Sequence, residues 1–516
     1  MTAATEAPAR RRVPRAPRTA PLSAVLRTTG RMLRIELRHS PMPLILPLIA
    51  ALFWFDSYRP SVTQPPIWAL RTFWNMGQGG TIIDFGPIVA GMAAWIASRE
   101  ARRGLADLVT ATARPRWVAQ LAAWAAAAIW AVGSYLVFVG VMFAVYIHQG
   151  AKGVPPLWWV AVGATAVTAF SAAGFAVGAF FPSRFAAPLA TFAGFLVMIM
   201  SSQTGFRDTI GWAQILPTNS NGNFQPVSGI FYPWLPDLPI ARIMFLAGIA
   251  VAALGLLGLA ARADGPGVRR AAAAVTLAGV AAAGTAVGLA DTARVGPHGM
   301  VIPALHDAAS DRPIAYTPVC GRSAGVPVCL NPAYGRYLSD VTAALRPVLA
   351  ELAGLPGAPA RAAQVAGTYA SGEGENGWPM SIGGHPPVLR MPLDTLSSLP
   401  AASGFTGFAE TERQFANLLQ AAAVHVFVRA GNGSGTPAQQ AVQAALLLKL
   451  GMPLSKQPDV LNEELNGMGP PPQPVPENVT AAARRLAALP PAARHAWLAA
   501  HLGAVRSGQL ALGQVP

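Results

Sequence analysis

The sequence predicts an α-helical polytopic membrane protein with about seven transmembrane helices, followed by a mostly helical α+β domain outside the membrane. Two observations indicate this fold class. Of the 516 residues, 53% are hydrophobic and only 12% are charged, which is about half the charged fraction usual for a soluble globular domain. The long apolar runs also lie within residues 1–290, whereas residues 291–516 have the mixed composition of a water-facing domain.

Two segments precede the first apolar run. Residues 1–20 are rich in arginine and proline and are expected to form a disordered basic cytoplasmic arm. In residues 21–40, apolar side chains recur at helical spacing with arginines between them. This pattern predicts a basic amphipathic helix that lies on the inner surface of the membrane.

Seven apolar segments make up the predicted transmembrane domain, residues 41–290. A helix needs about 20 apolar residues to cross a hydrocarbon core of about 30 Å, and a charge at its centre is costly. The predicted spans are 42–57, 82–98, 117–147, 157–181, 186–203, 239–261 and 271–290. Asp84 is the one candidate for an ionisable group inside a span, so the energy for any transport is expected from a partner rather than from an ion gradient.

The positive charges predict the orientation. Nine arginines precede the first span, five lie in residues 99–116 and three in 262–270, whereas the alternate loops are poorer in arginine. This asymmetry predicts a cytoplasmic N-terminus. Seven spans then place residues 291–516 outside the cytoplasm, as the extracytoplasmic domain of a multi-pass plasma-membrane protein. The segment between 204 and 238 is expected at the outer interface, and a re-entrant or interfacial helix is possible near 207–215.

The net charge of +15 does not indicate a nucleic-acid partner. Residues 291–516 carry 15 basic and 14 acidic residues, so nearly all of the excess lies beside the apolar runs of the first half. The sequence contains neither a basic patch interleaved with aromatic residues nor the ligand spacing of a zinc module. The positive charge is therefore predicted to lie beside the lipid bilayer, where it determines the topology of the spans.

The extracytoplasmic domain shows helical patterns at 333–354, 407–423, 436–450, 478–488 and 491–506. Short runs with a strand-like pattern lie at 313–319, 362–369 and 422–429, and the tail beyond 507 is expected to be loose. The chain's two cysteines, Cys320 and Cys329, both lie in this domain. An extracytoplasmic location favours a disulfide between them, and two unpaired thiols are the alternative.

Motifs of catalysis are absent from the sequence. There is no GxxxxGK[ST] phosphate loop, no HExxH helix and no GxSxG elbow, and the GxGxxG match at residues 372–377 contains two glutamates that would repel phosphate. We therefore expect no catalytic site, no metal and no cofactor, so that the chain is not itself an enzyme. Hydrolase activity in the extracytoplasmic domain remains an alternative, since a site can lack a local motif.

The loop between the second and third predicted spans, SREARRGLADLVTATARPRW, is the most informative segment. It resembles the loop of ABC-2-type transporter permeases, in which an acidic residue is followed by glycine, a short leucine-rich helix, a threonine and an arginine. Residues 33–55 are similar to that family's interfacial helix and first span. On this resemblance the ATPase-coupling loop comprises Glu100, Arg102, Arg103, Gly104, Leu105, Leu108, Thr110 and Arg114, with Thr112 and Arg116 as alternatives for the last two positions.

The resemblance covers about residues 20–262 and implies a membrane-spanning subunit of an ATP-driven exporter. Such a permease pairs with a separate ABC ATP-binding subunit and forms a homo- or heterodimer of permeases. The family's core usually has one span fewer, and the extracytoplasmic domain lies beyond the family pattern. In the alternative interpretation the arginines of the loop only determine topology, and the chain is a membrane-anchored sensory or interaction protein.

Overall fold

The computed structural model describes residues 22–53, 80–104, 116–148, 150–204, 211–216, 229–260, 265–296, 299–366, 380–392, 408–429, 435–455, 457 and 475–516. Helices dominate the first half of this part of the chain. They are α1 (Leu22–His39), α2 (Leu46–Phe53), α3 (Gly80–Ala97), α4 (Arg99–Arg102), α5 (Arg116–His148), α6 (Leu157–Phe180), α7 (Ala186–Thr204), α8 (Asp237–Ala260) and α9 (Pro266–Asp291). Short 3-10 helices lie at Met42–Ile45 and Trp212–Ile215.

Four of these helices, α5, α6, α8 and α9, are long and apolar enough to cross a membrane. The others are shorter in apolar length: α3 and α7 contribute Phe85–Ala97 and Ala186–Ser201, and α2 has eight residues. By length and composition the structure therefore supports four spans and not all seven. The predicted first span, 42–57, differs most from the structure. It begins with the 3-10 helix Met42–Ile45, which has proline in its first turn, and proline lacks the N–H that a regular α-helix requires.

Glycines bring the long helices into backbone contact. Gly174 and Gly178, four residues apart on α6, face Ala90 and Ala94 of α3, and a Cβ atom at either glycine would collide with the alanine backbone. A Cβ atom at Gly248 of α8 would likewise collide with the backbone of α9 at Gly279. Close approach through small residues is the usual way in which helices associate in a membrane, where lipid is as apolar as the side chains.

The C-terminal region follows α9 directly. A hairpin of β1 (Arg294–Gly296) and β2 (Gly299–Val301) leads to a five-stranded sheet. The strands β3 (Val319–Ser323), β4 (Val326–Leu330), β5 (Arg361–Gln364), β6 (Ser381–Gly383) and β7 (Val388–Met391) lie in the order β3-β4-β5-β7-β6. The pairs β4–β5 and β5–β7 are parallel, and both edge strands are antiparallel to their neighbours.

Among its described residues this region also has five α-helices: α10 (Leu338–Leu352), α11 (Phe408–Val428), α12 (Pro437–Lys449), α13 (Glu477–Ala488) and α14 (Pro491–Arg506). Their buried faces, which include Leu345, Phe427 and Leu446, join the sheet residues Val328 and Leu389 in a continuous apolar core. The described residues of this region are thus mostly helical and include a small sheet. The five predicted helical segments are confirmed, with shifts of a few residues at their ends.

Three smaller predictions for this region were wrong or partly wrong. The run at 362–369 contributes β5, but 313–319 reaches a strand only at its last residue, and 422–429 belongs to helix α11. Residues 418–425 are all buried, and an unbroken apolar run does not distinguish a buried helix from a buried strand. The tail is also anchored, because Leu510 and Val515 are buried against the helices.

The predicted disulfide is present. Cys320 of β3 and Cys329 of β4 are directly opposite in the antiparallel register, and their sulfur atoms are bonded. The two strands are joined by a tight turn in which Ala324 and Gly325 both have positive φ. The disulfide therefore closes the β3–β4 hairpin.

Candidate coupling site

The predicted coupling loop begins in contact with the amphipathic helix. Nη2 of Arg99, the first residue of α4, donates hydrogen bonds to both carboxylate oxygens of Glu36 on α1, at 2.9 and 3.2 Å. Each side chain is about one quarter exposed. The pair is therefore partly shielded from water, and it joins two elements that are 63 residues apart in the sequence.

A second bond attaches α1 to the long helix α5. Nε1 of Trp130 donates to the backbone oxygen of Leu37 at 3.0 Å. Leu37 follows Glu36 directly, so one turn of α1 is bonded to α4 on one side and to α5 on the other. These two bonds connect α4 to α5 through a single turn of α1.

Arg102 is turned back onto the end of α3. Its Nη2 donates to the backbone oxygen of Trp95 at 2.8 Å, its Nε donates to Oγ of Ser98 at 3.2 Å, and its guanidinium carbon lies 3.4 Å from the centroid of the Trp95 ring. This is the geometry of a cation–π contact. Burial, and next the positive charge of Arg103, lower the pKa of Arg102 from its ordinary value.

Arg103 and Gly104 are exposed at the end of this short helix. Gly104 has φ of +66° and its N–H bonds to the oxygen of Ala101 at 3.1 Å. Glycine adopts this left-handed conformation at little cost and commonly ends a helix in this way. The glycine of the motif thus lies directly after the end of α4.

The structure describes half of the predicted coupling residues. Glu100, Arg102, Arg103 and Gly104 lie on α4 or at its end, while Leu105, Leu108, Thr110 and Arg114 belong to the stretch 105–115 outside the described residues. Sequence reasoning missed the role of Glu36 as the partner of Arg99. A signal was present, because Glu36 is the one acidic residue between Glu6 and Asp56.

A second cluster of polar residues lies at the N-terminal end of α8. Oδ2 of Asp237, a fully buried residue in the first turn of α8, accepts the N–H of Ile302 at 2.8 Å and bonds Nδ1 of His306 at 3.2 Å. Nε2 of His306 bonds Oδ2 of Asp311 at 3.0 Å. The hydrogen bond with Asp311 raises the pKa of His306 above its ordinary value, although partial burial acts in the other direction.

Arg242, one turn further along α8, anchors the segment that precedes this helix. Its side chain is fully buried, Nε donates to the backbone oxygen of Gln214 at 2.8 Å, and the guanidinium carbon lies 5.2 Å from the ring of Trp159. Within residues 207–215, where a re-entrant or interfacial helix is possible from the sequence, the described residues form the short 3-10 helix Trp212–Ile215; its position relative to a membrane stays a prediction. The side chain of Asp84 lies outside the described part of the structure.

In the described part of the chain, no group of three or more His, Cys, Asp or Glu residues has the geometry to hold a metal ion. Comparison of the chain with protein-family models, curated proteins and solved structures finds no match.

Proposed function

We propose that the chain is the membrane-spanning permease subunit of an ATP-driven exporter of the ABC-2 type, coupled through residues 99–116 to a separate ATP-binding subunit. In this proposal seven segments cross the plasma membrane, and the end of the bundle that carries α1 and α4 faces the cytoplasm. Residues 291–516 then form an extracytoplasmic domain at the exit side. Two such permeases, identical or different, assemble with two ATPase subunits.

The observation that carries the proposal is the pair of bonds on neighbouring residues of α1. A loop that only determined topology would require charge but no bonds to other helices. Here Arg99 is bonded to Glu36, and the next residue, Leu37, is bonded to Trp130 of α5. Motion imposed on the loop by a partner therefore has a continuous path of contacts into the long helices.

The arginines of the loop differ in their contacts, and this difference also supports the proposal. Arg99 and Arg102 are held by contacts within the chain, whereas Arg103 is exposed beside the exposed Gly104. This surface is available to a soluble partner, and the exposed guanidinium suits a partner surface with carboxylates.

The test is photocrosslinking from a residue incorporated in place of Arg103, in native membranes with and without ATP. The expected product is a crosslink to a protein that contains a nucleotide-binding phosphate loop, with a yield that changes on addition of ATP. The matched control has the same photoreactive residue in place of Trp212, which is 50% exposed at the Asp237 end of the bundle. Failure to capture an ATP-binding protein from position 103 in both conditions would refute the proposal.

A second candidate function is a membrane-anchored sensory or interaction protein, in which the helices only hold the C-terminal region. The extensive apolar core and the disulfide of that region favour this candidate. It predicts that photocrosslinking from Arg103 captures no ATPase, while partners are captured from the C-terminal region.

A further inference from the structure

An open apolar groove lies between α1, α2 and α5. Its volume is about 670 Å³, within the range of about 300–1,000 Å³ typical of small-molecule sites. Leu37 and Leu46 form one wall, and Ile129, Val137 and Phe138 form the other. The groove therefore offers almost entirely hydrocarbon contacts along its length.

The polar groups in the groove wall are already bonded within the chain. Nε1 of Trp130 donates to Leu37, and Oγ of Ser134 donates to the backbone oxygen of Trp130 at 2.6 Å. A sugar or peptide would bury polar groups here without partners, which is costly. An alkyl chain has no such groups.

One arginine lines this groove, and two more lie on the same face of α1. Arg38 is an exposed lining residue, and the exposed Arg34 and Arg31 precede it by four and seven residues on the same face of α1. The ion pairs of the described residues involve Arg99, His306 and Arg494, so none of the three arginines is neutralised by a described carboxylate. Glu36, the acidic residue of α1, is bonded to Arg99 instead.

We infer that this groove binds an anionic phospholipid, with an acyl chain along Gly133 and the phosphate at Arg38. Guanidinium groups bind phosphate through paired, charge-assisted hydrogen bonds. The exposed positive charge of Arg38, Arg34 and Arg31 favours an anionic lipid over a second copy of this chain, because the lipid phosphate neutralises that charge whereas the copy has a net charge of +15. The inference rests on the proposed placement in a membrane and is independent of the ATPase partner.

Two glycines of α5 provide a matched pair of variants. An added Cβ at Gly133, which lines the groove, would meet no atom within 4 Å, and the same holds for Gly140 two turns further along the same face. Leucine at position 133 therefore starts from open space in the groove, where the acyl chain would lie. Leucine at position 140 adds the same side chain beyond the groove.

The experiment is native mass spectrometry of the full chain purified in detergent, titrated with dioleoyl phosphatidylglycerol or dioleoyl phosphatidylcholine. The wild type is expected to retain one phosphatidylglycerol per chain in preference to phosphatidylcholine. The substitution Gly133→Leu should weaken retention about tenfold or more, equivalent to about 1.4 kcal/mol, and Gly140→Leu should leave it unchanged. Arg38→Gln should remove the preference for the anionic lipid.

Three outcomes would overturn the inference. They are equal retention of the two lipids by the wild type, unchanged retention in Gly133→Leu, and a change in the number of chains per particle in Gly133→Leu, which would identify the groove as a contact between copies. Failure of lipid binding leaves the crosslink from position 103 as a separate test of the proposed function.

Discussion

Nδ1 of His306 lies 3.2 Å from Oδ2 of Asp237, so the first turn of α8 is bonded to the C-terminal region. On its other side, Nε2 of His306 lies 3.0 Å from a carboxylate oxygen of Asp311. Both ring nitrogens can donate to carboxylates only when the imidazole is protonated. The link between α8 and the C-terminal region is therefore complete in the protonated form.

This link predicts a loss of stability at alkaline pH. The pKa of His306 is raised above 6.5 in the folded protein, so its contribution is fully present below pH 6.5 and is lost as the pH rises through the folded pKa. We expect the thermal midpoint of the purified chain to fall as the pH rises above 6.5 and through the raised pKa of His306, and the substitution His306→Gln to reduce this dependence. Identical profiles for the variant and the wild type would contradict the assignment.

His425 predicts the opposite dependence on the acid side. Burial, and next the charge of Arg429, lower the pKa of His425 to about 3. Below pH 6.5 the unfolded chain gains a proton that the folded chain does not take up, so stability falls with the pH by up to about 1.4 kcal/mol per unit. The substitution His425→Gln should flatten the profile of the thermal midpoint between about pH 5 and 7, and a steep profile in the variant would refute this.

The ion pair between α1 and α4 is expected to give a small but measurable coupling energy. Glu36 and Arg99 are each about one quarter exposed, so water still screens part of their attraction and a coupling of about 0.2–1 kcal/mol is expected. Glu36→Gln and Arg99→Gln should each speed amide hydrogen exchange in residues 29–39, and the double variant should add little. Additive effects of the two substitutions would show that the pair does not couple the helices.

The contact of α6 with α3 can be tested with two identical substitutions. Gly174→Ala places a Cβ against the backbone of Ala90 and is expected to cost about 1–3 kcal/mol. Gly284→Ala, on α9, meets no atom within 4 Å and is expected to stabilise its helix by about 0.5–1 kcal/mol. Thermal midpoints of the two variants should therefore shift in opposite directions, and a common direction would argue against backbone contact at Gly174.

The proposed topology is tested by labelling of single cysteines in intact cells. Arg103→Cys and Ala350→Cys replace exposed residues and are best introduced into a chain with serine at positions 320 and 329. A membrane-impermeant maleimide should label position 350 in intact cells and position 103 only after permeabilisation. The reverse pattern would place the C-terminal region in the cytoplasm.

The elements with a strong local signal were predictable from the sequence. The helices at 436–450, 478–488 and 491–506 were found because proline precedes or begins each one and apolar residues repeat at helical spacing. The disulfide between Cys320 and Cys329 was also predicted correctly. In contrast, residues 422–429 were wrongly predicted as a strand. A helix that is buried on all sides lacks the alternation of apolar and polar residues that distinguishes helices from strands in a sequence.

The bonds of the candidate site were not predictable, because they join residues distant in sequence. Arg99 carried the signal of a topology determinant, and only the packing of α1 beside α4 shows its contact with Glu36. Likewise, nothing near Asp237 indicates His306, which is 69 residues away. Local patterns predict helices, whereas partners across the fold depend on how the helices pack.

The fixed contacts at the first turns of α8 have a consequence for measurement. This helix is bonded through Asp237 to Ile302 and through Arg242 to Gln214, and it packs backbone to backbone on α9 through Gly248. Helices α8 and α9 therefore pack closely as a pair, and the start of the C-terminal region is bonded to that pair. The tilt of that region, followed by a fluorescent label, would act as a gauge of conformational change at the far end of the bundle.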